Sequence, residues 1–390
     1  MKTPNHLLIV VLLFLFSLVH LGCPDNKPAD VISPQVPTNC EYSAGNRNIS
    51  WKLDTVAWWP STLGGVHAFS DSDAWVMGDM YGPVINGKNT SYVGLHWNGK
   101  SWNEKIDFLN ILMKANDVTG DDHFMVAAGY LLYVGEKPAI AEFDNRTKKW
   151  KSYQFQTAGE LRSVWTDGKG YFIAVGDNGM VYIKDGYTAE WEYNKAPTEF
   201  NLLRVSGIEK SELYILGGYN IPGKHFQQIW KLSKNIWIKL LDNLDTVKTP
   251  IEITESGDEI NDIAAFRCSV SDSLFLFVGG AESFIFETKG NDLSFRKTNL
   301  SIKGLPISSL NKAVSRITIF TPNDIWISSL RYYLYHWNGS NFQKTEPIST
   351  LPYENLWGYF SRVTRSSSGK TWMILEMNSQ VYAVLQALPK

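Results

Sequence analysis

"LYHWNGSNFQK" occupies residues 334–344 and "GLHWNGKSWNE" residues 94–104. Both run His-Trp-Asn-Gly, then two polar residues, an aromatic and another polar residue. Asn-Gly is the strongest short hairpin signal, because both central residues of the tight turn must accept positive φ. Each stretch therefore reads as strand, turn and strand, with His96 and His336 near a hairpin end. A metal role for the two histidines is not expected, since no second ligand stands near either in sequence. Writing one hairpin twice in distant parts of a chain points to an internal repeat, and the repeat decides the fold.

Working outward, seven weak copies of one unit run from Leu63 to the end. Their openings are "GGVHAFSDSDAWVMG", "ANDVTGDDHFMVAAG", "LRSVWTDGKGYFIAVG", "LLRVSGIEKSELYILGG", "INDIAAFRCSVSDSLFLFVGG", "AVSRITIFTPNDIWIS" and "YFSRVTRSSSGKTWMIL". Each is a short apolar strand, a polar turn and a second strand with an aromatic: Trp75, Phe124, Phe172, Tyr214, Phe275, Trp326 and Trp372. Spacings of about 40 to 60 residues suit four strands per unit. The last copy stops after its third strand, while "NISWKLDTVAWW" (48–59) stands as an orphan strand before the first. The expected fold is all-β: a seven-bladed β-propeller whose ring is closed by the N-terminal strand lying in the last blade. Such closure removes exposed sheet edges.

The composition is globular, 44% hydrophobic and 19% charged, with 37 basic and 39 acidic residues among 390. A net charge of −2 gives no cationic excess, so a nucleic-acid partner is not expected. At the N-terminus, Lys2 precedes an apolar run from Leu7 to Val19, the length of a signal-peptide core. His20-Leu21-Gly22-Cys23 follows, and it resembles the lipobox of bacterial lipoproteins, in which the cysteine becomes the lipidated first residue. The resemblance implies a signal peptide over 1–22, lipidation at Cys23, and attachment to the membrane through that lipid at the bacterial cell envelope. His20 and Leu21 depart from the commonest lipobox residues, and a plain signal peptide would give a secreted chain. Residues 23–46, with four prolines, read as a tether, and 47–390 as the propeller. Export permits a disulfide between Cys40 and Cys268, and the spacing does not require one.

The third copy, "AVGDNGMVYIKDGYTAEW", resembles the BNR-type repeat of bacterial sialidase-like and photosystem-assembly-factor-like propellers through its VG-x-x-G-x-V hairpin, Asp185, Gly186 and Trp191. "RSSSGKTW" resembles an Asp-box with Ser367 where the aspartate belongs. The likeness bears on fold more than on activity.

Propeller sites gather where loops enter the innermost strands. The residue before the first apolar position of that strand is Gly65, Asp117, Ser163, Arg204, Asp262, Arg316 and Arg362 across the copies, with Arg162 one place earlier in the third. The functional reading is a binding site of Arg204, Arg316, Arg362, Asp117 and Asp262, in which arginine forks receive a carboxylate. The structural reading is a charge chain tying inner strands together. Sialidases likewise use three arginines, but their nucleophilic tyrosine with its glutamate, and their acid aspartate, find no matching motif here. Two acidic turns, "DVTGDDHF" and "ESGDEIND", raise calcium as a cofactor, although neither has EF-hand or RTX spacing. No phosphate loop, nucleophile elbow or zincin helix occurs. The expectation is a monomeric, non-enzymatic propeller that binds a protein or glycan at the channel mouth and the 241–261 excursion. The alternative is a glycosidase or lyase of propeller fold.

Overall fold

The computed structural model describes residues 45–390 apart from 84–89, 107–112, 132–136, 222–223, 244–248, 252–259, 269–270, 281–282, 300–313, 330–332, 346–359, 378–380 and 390. The chain divides into two compact units, and every described residue belongs to the second, Gln35–Lys390. The signal peptide, Cys23, Cys40 and nearly all of the tether lie outside the described residues, as do Glu255, Asp258 and Glu259 of the second acidic turn.

Among the described residues, regular structure begins with β1 (Ile49–Ser70), β2 (Asp73–Tyr81), β3 (Ser91–Trp97) and β4 (Trp102–Ile106). Five antiparallel four-stranded sheets follow. The first contains β5 (Met113–Gly120), β6 (Phe124–Leu131), β7 (Pro138–Asp144) and β8 (Lys149–Gln154). The second contains β9 (Leu161–Thr166), β10 (Tyr171–Gly176), β11 (Met180–Asp185) and β12 (Glu192–Lys195). The third contains β13 (Asn201–Glu209), β14 (Glu212–Ile221), β15 (Lys224–Ser233) and β16 (Ile236–Asp242). The fourth contains β17 (Ile260–Cys268), β18 (Ser273–Gly280), β19 (Ser283–Lys289) and β20 (Arg296–Asn299). The fifth contains β21 (Val314–Thr321), β22 (Asp324–Ser329), β23 (Leu334–Trp337) and β24 (Phe342–Thr345). The chain ends in β25 (Phe360–Arg365), β26 (Thr371–Met377) and β27 (Val381–Pro389).

Among the described residues, five blades, not seven, stand as separate four-stranded sheets. The other seven strands form one sheet in the order β25-β26-β27-β1-β2-β3-β4. The reason is the length of β1, whose 22 residues serve two neighbours. Ile49 to Trp58 pair with β27, Trp51 facing Ala387 and Ala57 facing Tyr382. Thr62 to Ser70 pair with β2. The sheet folds over on itself, so that Trp372, Ile374 and Val384 from one end pack against Val66, Val76 and Trp97 from the other.

The first strands pack in succession, β1 on β5, β5 on β9, β9 on β13, β13 on β17, β17 on β21, β21 on β25 and β25 on β1. Second strands such as Tyr171–Gly176 and Ser273–Gly280 are buried throughout. That explains their unbroken apolar runs, because both faces meet neighbouring sheets rather than water. Fourth strands such as Glu192–Lys195 are exposed throughout.

The repeated hairpin has a packing role. His96 stacks on Trp75 at 4.4 Å and His336 on Trp326 at 4.2 Å, ring centre to ring centre. Each imidazole Nε2 also meets a carboxylate, Asp73 at 2.8 Å and Asp324 at 2.9 Å. Gly99 and Gly339 both adopt φ of 91°. Asn98 and Asn338 accept the two following turn amides with their side-chain oxygens.

Candidate functional site

A register shift interrupts the pairing of every first strand at the position that the repeat aligns. It falls between Leu63 and Gly65, Ala115 and Asp117, Leu161 and Ser163, Leu202 and Arg204, Ile260 and Asp262, Val314 and Arg316, and Phe360 and Val363. A bulge bends a strand and re-aims the side chain beside it. Here it turns the aligned residues inward. Gly65 is small for a steric reason, since a Cβ there would stand 2.8 Å from Val118 Cβ.

Asp117, Ser163, Arg204, Asp262, Arg316 and Arg362 are brought together. Arg362, on β25, reaches across to donate hydrogen bonds to the carbonyls of Val164 and Val205 and to Ser163 Oγ, each at 3.3 Å. Its guanidinium lies 3.2 Å from Asp117. Arg204 Nε lies 3.5 Å from the fully buried Asp262. Arg204 and Arg316 each donate to the preceding carbonyl, Leu203 and Ser315. Arg316 has no ion-pair partner among the described residues. Among the described residues, three guanidiniums thus gather around two carboxylates.

Both carboxylates also have structural work. Asp117 accepts hydrogen bonds from the Val118 and Val164 amides and from Ser163 Oγ. Asp262 accepts from the Ile317 amide at 2.7 Å. They belong to a series in which a side chain of one first strand receives an amide of the next: Ser163 from Val205, Ser206 from Ala265, and Thr318 from Val363. The structural reading of the two acids therefore holds beside the electrostatic one. Ser206 and Thr318 were not visible in the sequence, where nothing separates them from any other strand hydroxyl. Arg162 turns away to Asp177 at 2.6 Å and to Glu160 at 2.7 Å.

Burial, and next the charge of Arg316, push the Arg204 guanidinium down to about 9, still cationic at neutral pH. Burial also opposes the Arg362 charge, but Asp117 and then Asp262 outweigh it and hold that group above its ordinary value. Asp262 Oδ1 and Arg204 Nε are buried without a hydrogen bond.

Other polar candidates are absorbed by structure. Asp121 accepts the His123 and Phe124 amides and the Tyr187 hydroxyl, the pattern of a turn-capping side chain. Trp191 donates to Glu142, which also pairs with Lys184 at 3.0 Å. Ser366 and Ser368, flanking the position where the Asp-box has its acid, donate to Asp71 near the start of the first repeat. Asp71, and the acids Asp324 and Glu212 gripped by Arg365 and Arg267 of following strands, were missed as sites. Acids two residues before Tyr214 and Trp326 are a sequence signal that could have found two of these clasps.

No family model matches the sequence, and no curated protein matches it. Solved structures do resemble it. YCF48 bound to D1 peptide is 12% identical with a TM-score of 0.57, covering 89% of this chain and 97% of that one. YCF48 from Cyanidioschyzon merolae is also 12% identical, with a TM-score of 0.55 over 87% and 98%. The RRP9 WD40 repeats are 8% identical, with a TM-score of 0.55 over 89% and 99%. At these identities the likeness establishes a β-propeller and nothing finer.

Proposed function

We propose that the chain is a non-enzymatic binding propeller, exported and lipid-anchored through Cys23 at the bacterial cell envelope, which docks a protein ligand at its channel mouth. The carrying observation is Arg316, a guanidinium without a carboxylate partner among the described residues, close enough to Arg204 to lower that group's pKa. It suits a carboxylate arriving from outside, received by a planar fork of donors. The relative named as YCF48 bound to D1 peptide supports a protein segment as ligand, with a glycan as the second class. Cys268 is disulfide-bonded, its partner cysteine lying outside the described residues, and this supports an oxidising compartment. We further propose a closed, monomeric ring of seven blades, a count supported by reading the two halves of β1 as the outer strand of one blade and the inner strand of the next. The glycosidase alternative loses ground because Asp117 and Asp262 are buried acceptors of backbone amides, not free acids.

The test is a crosslinked pull-down from the native envelope with wild type and the Arg204→Ala/Arg316→Ala double variant. The expected result is loss of the specific partners, about tenfold or more, on removing these charges. Recovery of the same partners at the same yield from both would overturn the channel-mouth reading.

A further inference from the structure

The geometry points to a second binding site, for an acidic sugar unit of the uronate class, in a groove between the outer strands of the fifth sheet and the first half of β1. The groove holds about 370 Å³ and is lined by Arg47, Ile49 and Trp51 on one side and by His336, Gln343, Lys344 and Thr345 on the other. That volume falls in the range of small-ligand sites. The groove shares no residue with the channel.

Strand register turns both walls toward the groove. Ile49, Trp51 and Leu53 alternate along β1 and pack against Trp326 and Leu334 of the fifth sheet. Gln343 pairs with His336, His336 with Trp326, and Thr345 with Leu334, which places all of them on the face that meets β1. Lys344 belongs to the other face, its ammonium 4.6 Å from the centre of the Tyr333 ring. The half-buried Trp51 meets Trp326 edge-on at 6.1 Å, and Trp326 in turn stacks on His336 at 4.2 Å. An indole fixed in this way offers a flat apolar surface at low entropic cost.

Two buried nitrogens of the lining have no hydrogen-bond partner among the described residues, Arg47 Nε and His336 Nδ1. The His336 side chain is wholly buried, with Nε2 2.9 Å from Asp324 Oδ1. Burial opposes the Asp324 charge, but hydrogen bonds from His336 and Arg365 outweigh it, so this carboxylate accepts and Nε2 holds the proton. Nδ1 is then a lone pair that calls for a hydroxyl donor. Arg47 donates to the His336 carbonyl at 2.8 Å, to Asn341 Oδ1 at 2.6 Å and to the Asn341 carbonyl. All three acceptors are neutral, and no acid lines the groove among the described residues. Burial pushes the Arg47 guanidinium down with no carboxylate opposing it. A ligand that satisfies this lining brings a carboxylate for Arg47, a hydroxyl for His336 Nδ1 and an apolar C–H face for Trp51. One uronate ring carries all three. The site is independent of the channel reading, and either can fail without the other.

Titration calorimetry on the whole chain tests it, with methyl glucuronide and trigalacturonate, each beside its neutral counterpart, methyl glucoside and the galacturonate methyl ester. Phenylacetate serves as a ring acid without hydroxyls. The expected result is binding of at least one acidic sugar with Kd below about 10 mM, and binding about tenfold or more weaker for its neutral counterpart and for phenylacetate. Arg47→Gln and Trp51→Leu should each weaken the acidic sugar about tenfold or more, and Trp51→Phe should stay within about threefold. No binding in that range, equal binding of the neutral counterpart, or a preference for phenylacetate overturns the assignment. So does a loss of binding in Arg204→Ala/Arg316→Ala without one in Arg47→Gln, which would move the carboxylate to the channel. Thermal midpoints check the fold of each variant, and the comparison of acid with neutral sugar in the wild type stands even where a variant unfolds.

Discussion

At the residue scale, buried acids clasped by a neighbouring strand carry much of the specificity of packing. Burial alone would raise Asp324, but hydrogen bonds from His336 and Arg365 outweigh it and hold the group below the ordinary carboxylate range. Glu212 is lowered in the same way, with Lys231, Arg267 and Tyr214 overcoming its burial. Truncating one partner leaves uncompensated charge in a desolvated place, so Asp324→Ala is expected to cost about 3 kcal/mol, read as a fall in the urea midpoint. Because these pKa values are depressed, the stability they contribute is present above about pH 4 and is lost as pH falls through the folded-state values. His67 acts in a higher window. Burial pushes its imidazole down to about 4, against the opposing pull of Asp121. Below about pH 6.5 the unfolded chain takes a proton that the folded chain refuses, so stability should fall by on the order of 3 kcal/mol between there and about pH 4. His67→Gln should flatten that slope in urea titrations run across the window. If the slope survives the substitution, another group carries it.

At the scale of elements, the hairpins were legible because their chemistry is local. Asn-Gly names a turn wherever it stands, and both turns have the positive φ that it implies. Gly99→Ala and Gly339→Ala should each cost about 1 kcal/mol or more, since φ is unfavourable and the added carbon would meet Ser72 or Asn323 at 2.8 Å. Differential scanning calorimetry of the two variants checks this; an unchanged midpoint would mean that the turn relaxes. The inward position of the first strands was legible too, as the run of Asp117, Arg204, Asp262, Arg316 and Arg362. The bulge that aims them was not, because an extra residue in a strand leaves no compositional mark. The clasp acids were hidden for a different reason: Arg365 and Arg267 come from another repeat, and no single repeat shows both partners.

At the scale of the molecule, the orphan segment before the first repeat and the short final repeat together foretold that Trp51 would lie beside the C-terminal strand, as it does opposite Ala387. The sequence did not foretell that one strand would run without a break through two repeats, since that depends on backbone continuity around Trp59 and Pro60, not on pattern. Deleting residues 1–58 should uncover the edge of β27 and turn the chain into an aggregating species, seen by light scattering and size-exclusion chromatography. A soluble, monomeric product would show that the edge is protected in some other way. The shared strand also orders events during synthesis. The earliest of the described strands to leave the ribosome finds its outer neighbour only when residues 381–389 have been made, so no N-terminal fragment can complete the sheet and pairing across it must wait for the end of synthesis.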